Sequence, residues 1–393
     1  MNFYQKLGLR RVINARSYST KAGGSLMAPE VIQAMQEAAK SFVRIEDLQE
    51  AAGQIIARLT GAEAGYVTSG AAAGLTLGMA ACIAGLDPLK MNRLPDTRGM
   101  KNEVIIQRAH RNDYDHALRA AGAKVVEVGF NYATFPYEVE RAINDKTAAI
   151  FFLAGSVEGS LSLEQIVQIA HSNHVPVIID AAAELPPAEN LRKFIAQGAD
   201  LVAFSGGKHI GGPQASGILC GRRDLILSVA LQHQDMDVFP ETWPWRHLIV
   251  DGTLSGPPHH GVGRALKVGK EEIAGLIAAL ELYATRDFEA ELKAWHERID
   301  TLIAGVEKIS GLCAHRIFPL PSGQPVPSAH VQVDPNRAGL DAHALINALQ
   351  EGEPIICTYE NLASQGTIVF FPQCLGDNEP EEIVHKLKAI FKK

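Results

Sequence analysis

The sequence is poor in cysteine, with five in 393 residues, at positions 82, 220, 313, 357 and 374. Their odd number, their scatter and the lack of any Cys-x-x-Cys pair exclude a disulfide framework and a cysteine zinc site, and fit a reducing compartment. No apolar run approaches the ~20 residues that span a bilayer. The first residues, Met1-Asn-Phe-Tyr-Gln-Lys6, lack the apolar core of a signal peptide. A cytoplasmic chain with no membrane partner is expected. Basic charge is in deficit too: 37 Lys and Arg stand against 44 Asp and Glu, so a broad nucleic-acid surface is not expected. There is no internal repeat, no low-complexity tract, and no Walker A or Gly-x-Gly-x-x-Gly loop. His259-His260 lies on a Pro/Gly loop without metal-site spacing or an evident carboxylate partner, so no metal is expected.

What remains is ordinary globular composition over a length that suits one large domain and a smaller one. Short apolar runs at 65–68, 104–108, 124–128, 148–153, 175–180, 201–204 and 217–220 alternate with helical patterns at 48–60, 71–83, 114–121, 136–144 and 162–173. Continuous apolar strands separated by helices predict an α/β fold with a mostly parallel sheet covered on both faces. Residues 222–263 show few periodic signals and read as a lid or binding loop. A helical stretch follows to about residue 309. Then comes the order strand (330–333), helix (341–349), strand (354–357), strand (367–371), helix (380–391), a small α+β domain. The expected division is an N-terminal segment 1–47, a large domain 48–275, bridging helices 276–309 and a small domain 310–393.

Four features stand at or just past strand ends, where ligands gather in such sheets. The stretch Asp200 to Gly217 is an apolar strand followed by a glycine-dense loop carrying one lysine, Lys208. A lysine confined there can attack a carbonyl, and the plainer alternative is a solvated turn lysine. Thr68-Ser69-Gly70-Ala71-Ala72-Ala73 is a small-residue turn opening a helix, which is either an anion cradle or a tight packing turn. Asp180 closes an apolar strand and is either a partner for a buried cation or a helix cap. His110 follows a strand directly and can lie against a flat ring, move a proton, or be structural. Taken together, the four match what pyridoxal phosphate requires. Its phosphate needs the cradle, its ring a flat neighbour, its pyridine nitrogen a carboxylate, and its aldehyde a lysine.

The chain also resembles the fold-type-I pyridoxal-phosphate enzymes, and within them the selenocysteine-synthase-like group, over nearly its whole length. The resemblance rests on Arg11-Val-Ile-Asn14, Gly23-Gly24-Ser25, Glu46-Asp-Leu48-Gln49, Thr68 to Ala73, Ile178 to Glu184, Ser205-Gly206-Gly207-Lys208 and Gly263 to Glu272. It implies a large seven-stranded sheet domain and a smaller C-terminal domain. It makes Lys208 the Schiff-base lysine and Asp180 the pyridinium partner. Ser69, Gly70, Ala71 and Ser205 would hold the phosphate, and His110 would lie against the ring. Arg264 would come near the site, from the same or a neighbouring subunit, in at least a homodimer. The chain departs from the group at Ala15-Arg16-Ser17-Tyr18, where a smaller stretch is expected. Arg16 and Arg264 are candidates for binding a substrate anion, and Trp243 is a further candidate for substrate contact. A selenocysteine synthase proper must bind a large tRNA, and the acidic balance and lack of a basic N-terminal module argue against that role. The expected activity is a lyase eliminating across Cα and Cβ of an amino acid or amino sugar acid, with release of ammonia. Racemisation, aldol cleavage and transamination remain alternatives on the same scaffold, as does a non-catalytic relative.

Overall fold

The computed structural model describes residues 3–130, 132–155 and 157–391. Its strands, in chain order, are β1 (Val12–Asn14), β2 (Ala64–Thr68), β3 (Glu103–Gln107), β4 (Lys124–Val128), β5 (Thr147–Leu153) and β6 (Val177–Asp180). They continue with β7 (Leu201–Ser205), β8 (Gly217–Gly221), β9 (Leu312–Ile317), β10 (Ser328–Val333), β11 (Ile355–Cys357) and β12 (Thr367–Phe370).

The chain divides into two compact units, Met27–Ala284 and Met1–Leu26 with Thr285–Lys393. The larger unit holds a seven-stranded sheet in the order β2-β8-β7-β6-β5-β3-β4. Strands β4, β3, β5, β6 and β7 pair in parallel, and β8 runs antiparallel to both β2 and β7. Six strands therefore share one direction, as the continuous apolar runs required. Val104–Ile106, Ala148–Phe152, Val177–Ile179 and Leu201–Phe204 are all buried. The helix Ala71–Ala84 is apolar all round and buried along nearly its whole length. Its glycines let it lie close to the sheet: a Cβ on Gly78 would come within 3.1 Å of Leu201, and one on Gly74 within 3.4 Å of Thr68.

Two expectations need correction here. Residues 223–233 form a helix, although the stretch 222–263 reads as irregular. Its apolar residues follow no amphipathic period because most of the helix is buried, so the usual signal is missing. The expected domain boundaries also shift. The first residues belong with the C-terminal unit because β1 pairs in parallel with β11, Ile13 opposite Ile356. That unit also carries an antiparallel sheet, β12-β10-β9, over a core including Ile13, Leu302, Leu345, Phe370 and Ile383.

Gly217 opens β8 opposite both Thr68 and Ser205. A Cβ there would lie 2.5 Å from the Gly70 carbonyl carbon and 2.8 Å from the Ala71 nitrogen. Gly217→Ala is therefore expected to push the strand off the helix start and lower stability by about 1–3 kcal/mol, the usual cost of overpacking. Urea unfolding checks it, and an unchanged midpoint would show that the turn yields freely.

Candidate active site

The register brings the functional residues to one edge of the large sheet. Asp180 ends β6 with Leu153 of β5 and Ala203 of β7 as its neighbours. Ser205 ends β7, and the short turn Arg108–His110 follows β3. Lys208 lies three residues past Ser205 in a loop that closes on itself. The Gly206 N–H donates to the Ser216 carbonyl (2.9 Å), Gly212 to Gly206 (2.9 Å) and Gly211 to Lys208 (2.9 Å). The glycines are there for close approach, since a Cβ on Gly207 would stand 2.5 Å from the Gln214 Cα. Lys208 is thus half-buried on a tight loop.

Charge in this loop is coupled to two carboxyls. Burial pushes the Lys208 ammonium down, while the charges of Asp180 and Glu184 hold it up. Burial pushes Asp180 up, opposed by the Ala182 N–H on its Oδ1 (3.0 Å) and by the Lys208 charge. Burial and the Asp180 charge push Glu184 up, with Lys208 and Lys193 opposing. The Glu184 carboxyl lies over Gly155, just beyond β5, where an added Cβ would be 3.3 Å from its Oε1. In the sequence Glu184 stands within the Ile178 to Glu184 motif with no role of its own. The available signal was its place four residues after Asp180 in the same strand-end turn.

His110 is fully buried. Its Nδ1 accepts from the Leu153 N–H (3.2 Å), and Leu153 is the register neighbour of Asp180. The neutral ring must then carry its proton on Nε2, which has no hydrogen-bond partner among the described residues. Its ring stands edge-on to Phe152 at 4.6 Å. Burial pushes it down to about 4, so it stays neutral at ordinary pH. A buried donor left unpaired calls for an acceptor.

The anion cradle forms at the start of the helix Ala71–Ala84. Its first intrahelical bond runs from Gly74 N–H to Gly70 O (3.0 Å), so the N–H groups of Ala71 to Ala73 precede the ladder. Nothing lies within 4 Å of where a Cβ on Gly70 would be, at φ 131°. Ser69 differs from expectation in one respect: its hydroxyl donates to the Leu266 carbonyl (2.8 Å), so backbone groups rather than that proton face an anion in this arrangement. Ser205 is half-buried at its strand end. The open cradle, the orphaned His110 Nε2 and the Asp180–Lys208 pair fit pyridoxal phosphate.

Three further candidates remain. Trp243 is 2% exposed in the large unit's core, and its Nε1 donates to Gln234 (3.2 Å). It anchors the chain after the 223–233 helix and does not offer a face to substrate, which corrects that expectation. Arg264 pairs with Asp235 (2.9 Å), and its turn is tied down at the Leu266 carbonyl by Ser69 and by His233 Nε2 (3.1 Å). The Tyr66 hydroxyl in turn holds His233 Nδ1 (2.9 Å). His260 does have carboxylate neighbours, Asp235 and Asp237, with one ligand atom from each of the three within 4.8 Å of the others. The group is exposed, and Arg264 already neutralises Asp235. In the smaller unit, Arg16 pairs with Glu360 (3.0 Å).

The sheet order and the residues at its edge define the fold-type-I architecture of pyridoxal-phosphate enzymes. A cysteine desulfurase from Escherichia coli shares it at 17% identity and TM-score 0.57, covering 97% of this chain and 94% of that one, a likeness of fold alone. Within that class the chain belongs to the SelA family, L-seryl-tRNA selenium transferase, whose profile matches residues 12–236. D-glucosaminate-6-phosphate ammonia lyase of Salmonella typhimurium is 35% identical over 99% of this chain and 98% of its own. A solved structure of D-glucosaminate-6-phosphate ammonia-lyase matches with TM-score 0.85, covering 100% of this chain and 98% of that one. A 5'-C-glycyluridine monooxygenase-decarboxylase of a Streptomyces species is 33% identical over 98% of this chain and 91% of its own. Reading the chain as a lyase of the pyridoxal-phosphate group fits the first of these relatives. No helix among the described residues is long and apolar enough to cross a membrane.

The buried His110 has a consequence for acid stability. Folded, it takes a proton only near pH 4, while the unfolded imidazole does so near 6.5. Between these values the unfolded chain binds the extra proton. Stability therefore falls as pH drops through that window, by on the order of 3 kcal/mol, and the effect levels off below it. Urea unfolding of cofactor-free protein from pH 7.5 to 4 is expected to show a shallower slope for His110→Phe than for the parent. Equal slopes would mean that His110 is not neutral in the fold.

Proposed function

We propose that the chain is a cytoplasmic pyridoxal-phosphate-dependent lyase, eliminating across Cα and Cβ of an amino acid or amino sugar acid and releasing ammonia and a 2-oxo acid. The observation that carries this reading is the Lys208 ammonium held half-buried among Asp180 and Glu184 at the carboxyl edge of the sheet. Lys208 would hold the cofactor's aldehyde, Asp180 its ring nitrogen, and His110 its ring face. The N–H groups of Ala71 to Ala73, with Gly70, Ser69 and Ser205, would hold its phosphate. When bound, the cofactor supplies an electron sink beside the substrate's Cα. The chain's own residues do the rest. Asp180, kept from water, would keep the ring nitrogen of the bound group charged. The Lys208 amine, whose pKa burial lowers, is suited to take the proton from Cα near neutral pH. Glu184, pushed up by burial, is a second group able to carry a proton to a departing hydroxyl. Arg264 and Arg16 are proposed for the substrate's anionic group, each needing release from its acid partner.

Racemisation, aldol cleavage and transamination use the same residues. The Streptomyces relative, named for a different reaction, keeps a second chemistry in view. A homo-oligomer is also proposed, supported by the exposed apolar side chains of Phe42, Val43 and Ile45.

Incubation with D- and L-amino acids and with amino sugar acids, phosphorylated and not, is expected to yield ammonia and 2-oxo acid in equal amounts from one class. Inverted substrate without ammonia would instead make the chain a racemase. Borohydride reduction and peptide mass analysis are expected to find cofactor on Lys208 and none in Lys208→Ala. Cofactor trapped on another lysine would refute the assignment. Asp180→Asn is expected to keep the fold and lose most turnover, and survival of turnover within a few-fold would leave Asp180 as a cap for Ala182.

A further inference from the structure

β1 ends inside the small unit's core, and Ala15 beyond it is fully buried. Its N–H donates to the Cys357 carbonyl (2.9 Å) and its carbonyl accepts from the Phe371 N–H (2.8 Å). Asn14 then clasps the turn from both sides. Its Oδ1 accepts the Arg16 N–H (3.1 Å) and its Nδ2 donates to the Ser17 carbonyl (3.0 Å). Ser17 sits at φ 71°, a left-handed conformation that side chains other than glycine avoid. Such a conformation persists only where the surroundings over-determine it, as they do at binding sites.

The side chain positioned by this turn is that of Arg16. Its Nη1 donates to Glu360 Oε1 (3.0 Å) and to the Thr358 carbonyl (3.4 Å). Lys21 Nζ stands 4.0 Å from the same Oε1, and Gln350 Nε2 donates to it at 3.0 Å. One carboxylate oxygen thus faces two cations and an amide, and the cluster keeps one positive charge in excess. A partly exposed ion pair contributes little in water, too little to explain a clamped and strained turn. A visiting anion accounts for both the surplus charge and the rigid turn.

We propose that Arg16 and Lys21 form an anion-binding site in the smaller unit that Glu360 closes from within, and that a phosphate or carboxylate binds there by displacing Glu360. An internal competitor lowers the apparent affinity of every anion by one common factor, set by how rarely the site stands open. Weakly held monoanions then fall below useful binding. A phosphate, with up to two charges and three acceptor oxygens for an arginine fork and an ammonium, stays above it. Glu360 thereby sets the concentration at which an anion fills the site and leaves the preference for phosphate to the arginine fork and the ammonium.

Calorimetric titration of the cofactor-loaded protein with inorganic phosphate and with acetate tests this. Phosphate is expected to bind the parent and acetate at least tenfold more weakly. Glu360→Gln removes the competitor and keeps an amide acceptor, so both anions are expected to tighten by the same factor, about tenfold or more. Arg16→Ala is expected to abolish phosphate binding, and Lys21→Gln, which leaves the clamped turn untouched, to weaken it severalfold. Unchanged phosphate affinity in Glu360→Gln, or full binding in Lys21→Gln together with Arg16→Ala, would overturn the proposal. The titrations need no turnover.

Discussion

One ammonium and two carboxyls lose water together at the carboxyl edge of the large sheet, and the large unit is arranged around that fact. Burial by itself would neutralise each group: Lys208 goes down, Asp180 and Glu184 go up. The Lys208 charge favours the ionised form of both carboxyls and theirs favours the ammonium, with the Ala182 N–H helping Asp180 and Lys193 helping Glu184, so none of the three is independent. Removing one partner from such a set leaves an uncompensated buried charge. The lysine must therefore be held, not merely nearby. The loop achieves this with backbone bonds among Gly206, Gly211, Gly212 and Ser216 and with glycines where no Cβ fits.

The reversed strand β8 makes that loop possible. β7 and β8 pair antiparallel, so the chain returns at the same edge where Asp180 ends β6. A parallel crossover would carry the chain to the opposite edge and through a helix before it came back. The hairpin keeps Lys208 over the strand ends and sets Gly217 against Gly70 and Ala71. The lysine loop and the anion cradle are thus packed directly on each other. The same edge also carries neutral donors, the His110 Nε2 and the N–H groups of Ala71 to Ala73. A ligand there meets charge on one side and fixed dipoles on the other, an arrangement that needs no reorganisation when it binds.

Much of this was legible in residue order. Buried strands such as Val177–Asp180 are short apolar runs in the sequence as in the fold, because both faces are covered. Lys208, Asp180 and His110 stood out for the same reason, as polar residues directly past such runs. What could not be read depended on distant partners. β1 is three residues long and exists through its pairing with β11, more than 340 positions away. The helix Arg223–His233 shows no period because its surroundings are apolar on most sides. Trp243 sits in a loop by pattern and in the core by packing, held through Gln234. Ser69 looks like a free hydroxyl until Leu266, nearly 200 residues on, takes its proton. Glu184 lies in plain view, yet only its place over Gly155 shows that it shares the lysine's surroundings.

The two full-length relatives are nearly equal in identity to this chain and are named for different reactions. Shared ancestry at that level therefore speaks for the scaffold and its edge more than for the bond that is broken. Lys208, Asp180 and Glu184 are the residues proposed to act at Cα, and a step there is common to eliminations, racemisations and transaminations. Discrimination has to come from residues that hold the substrate's far end. Arg16 and Arg264 are the arginines proposed for it, and each is already paired, with Glu360 and with Asp235. An arginine with a resident acid binds an anion only by exchange, so its affinity reports the difference between two carboxylate-like partners. On that proposal, the binding of an anion by either arginine would depend on how readily Glu360 or Asp235 gives way, a property of the acids as much as of the arginines.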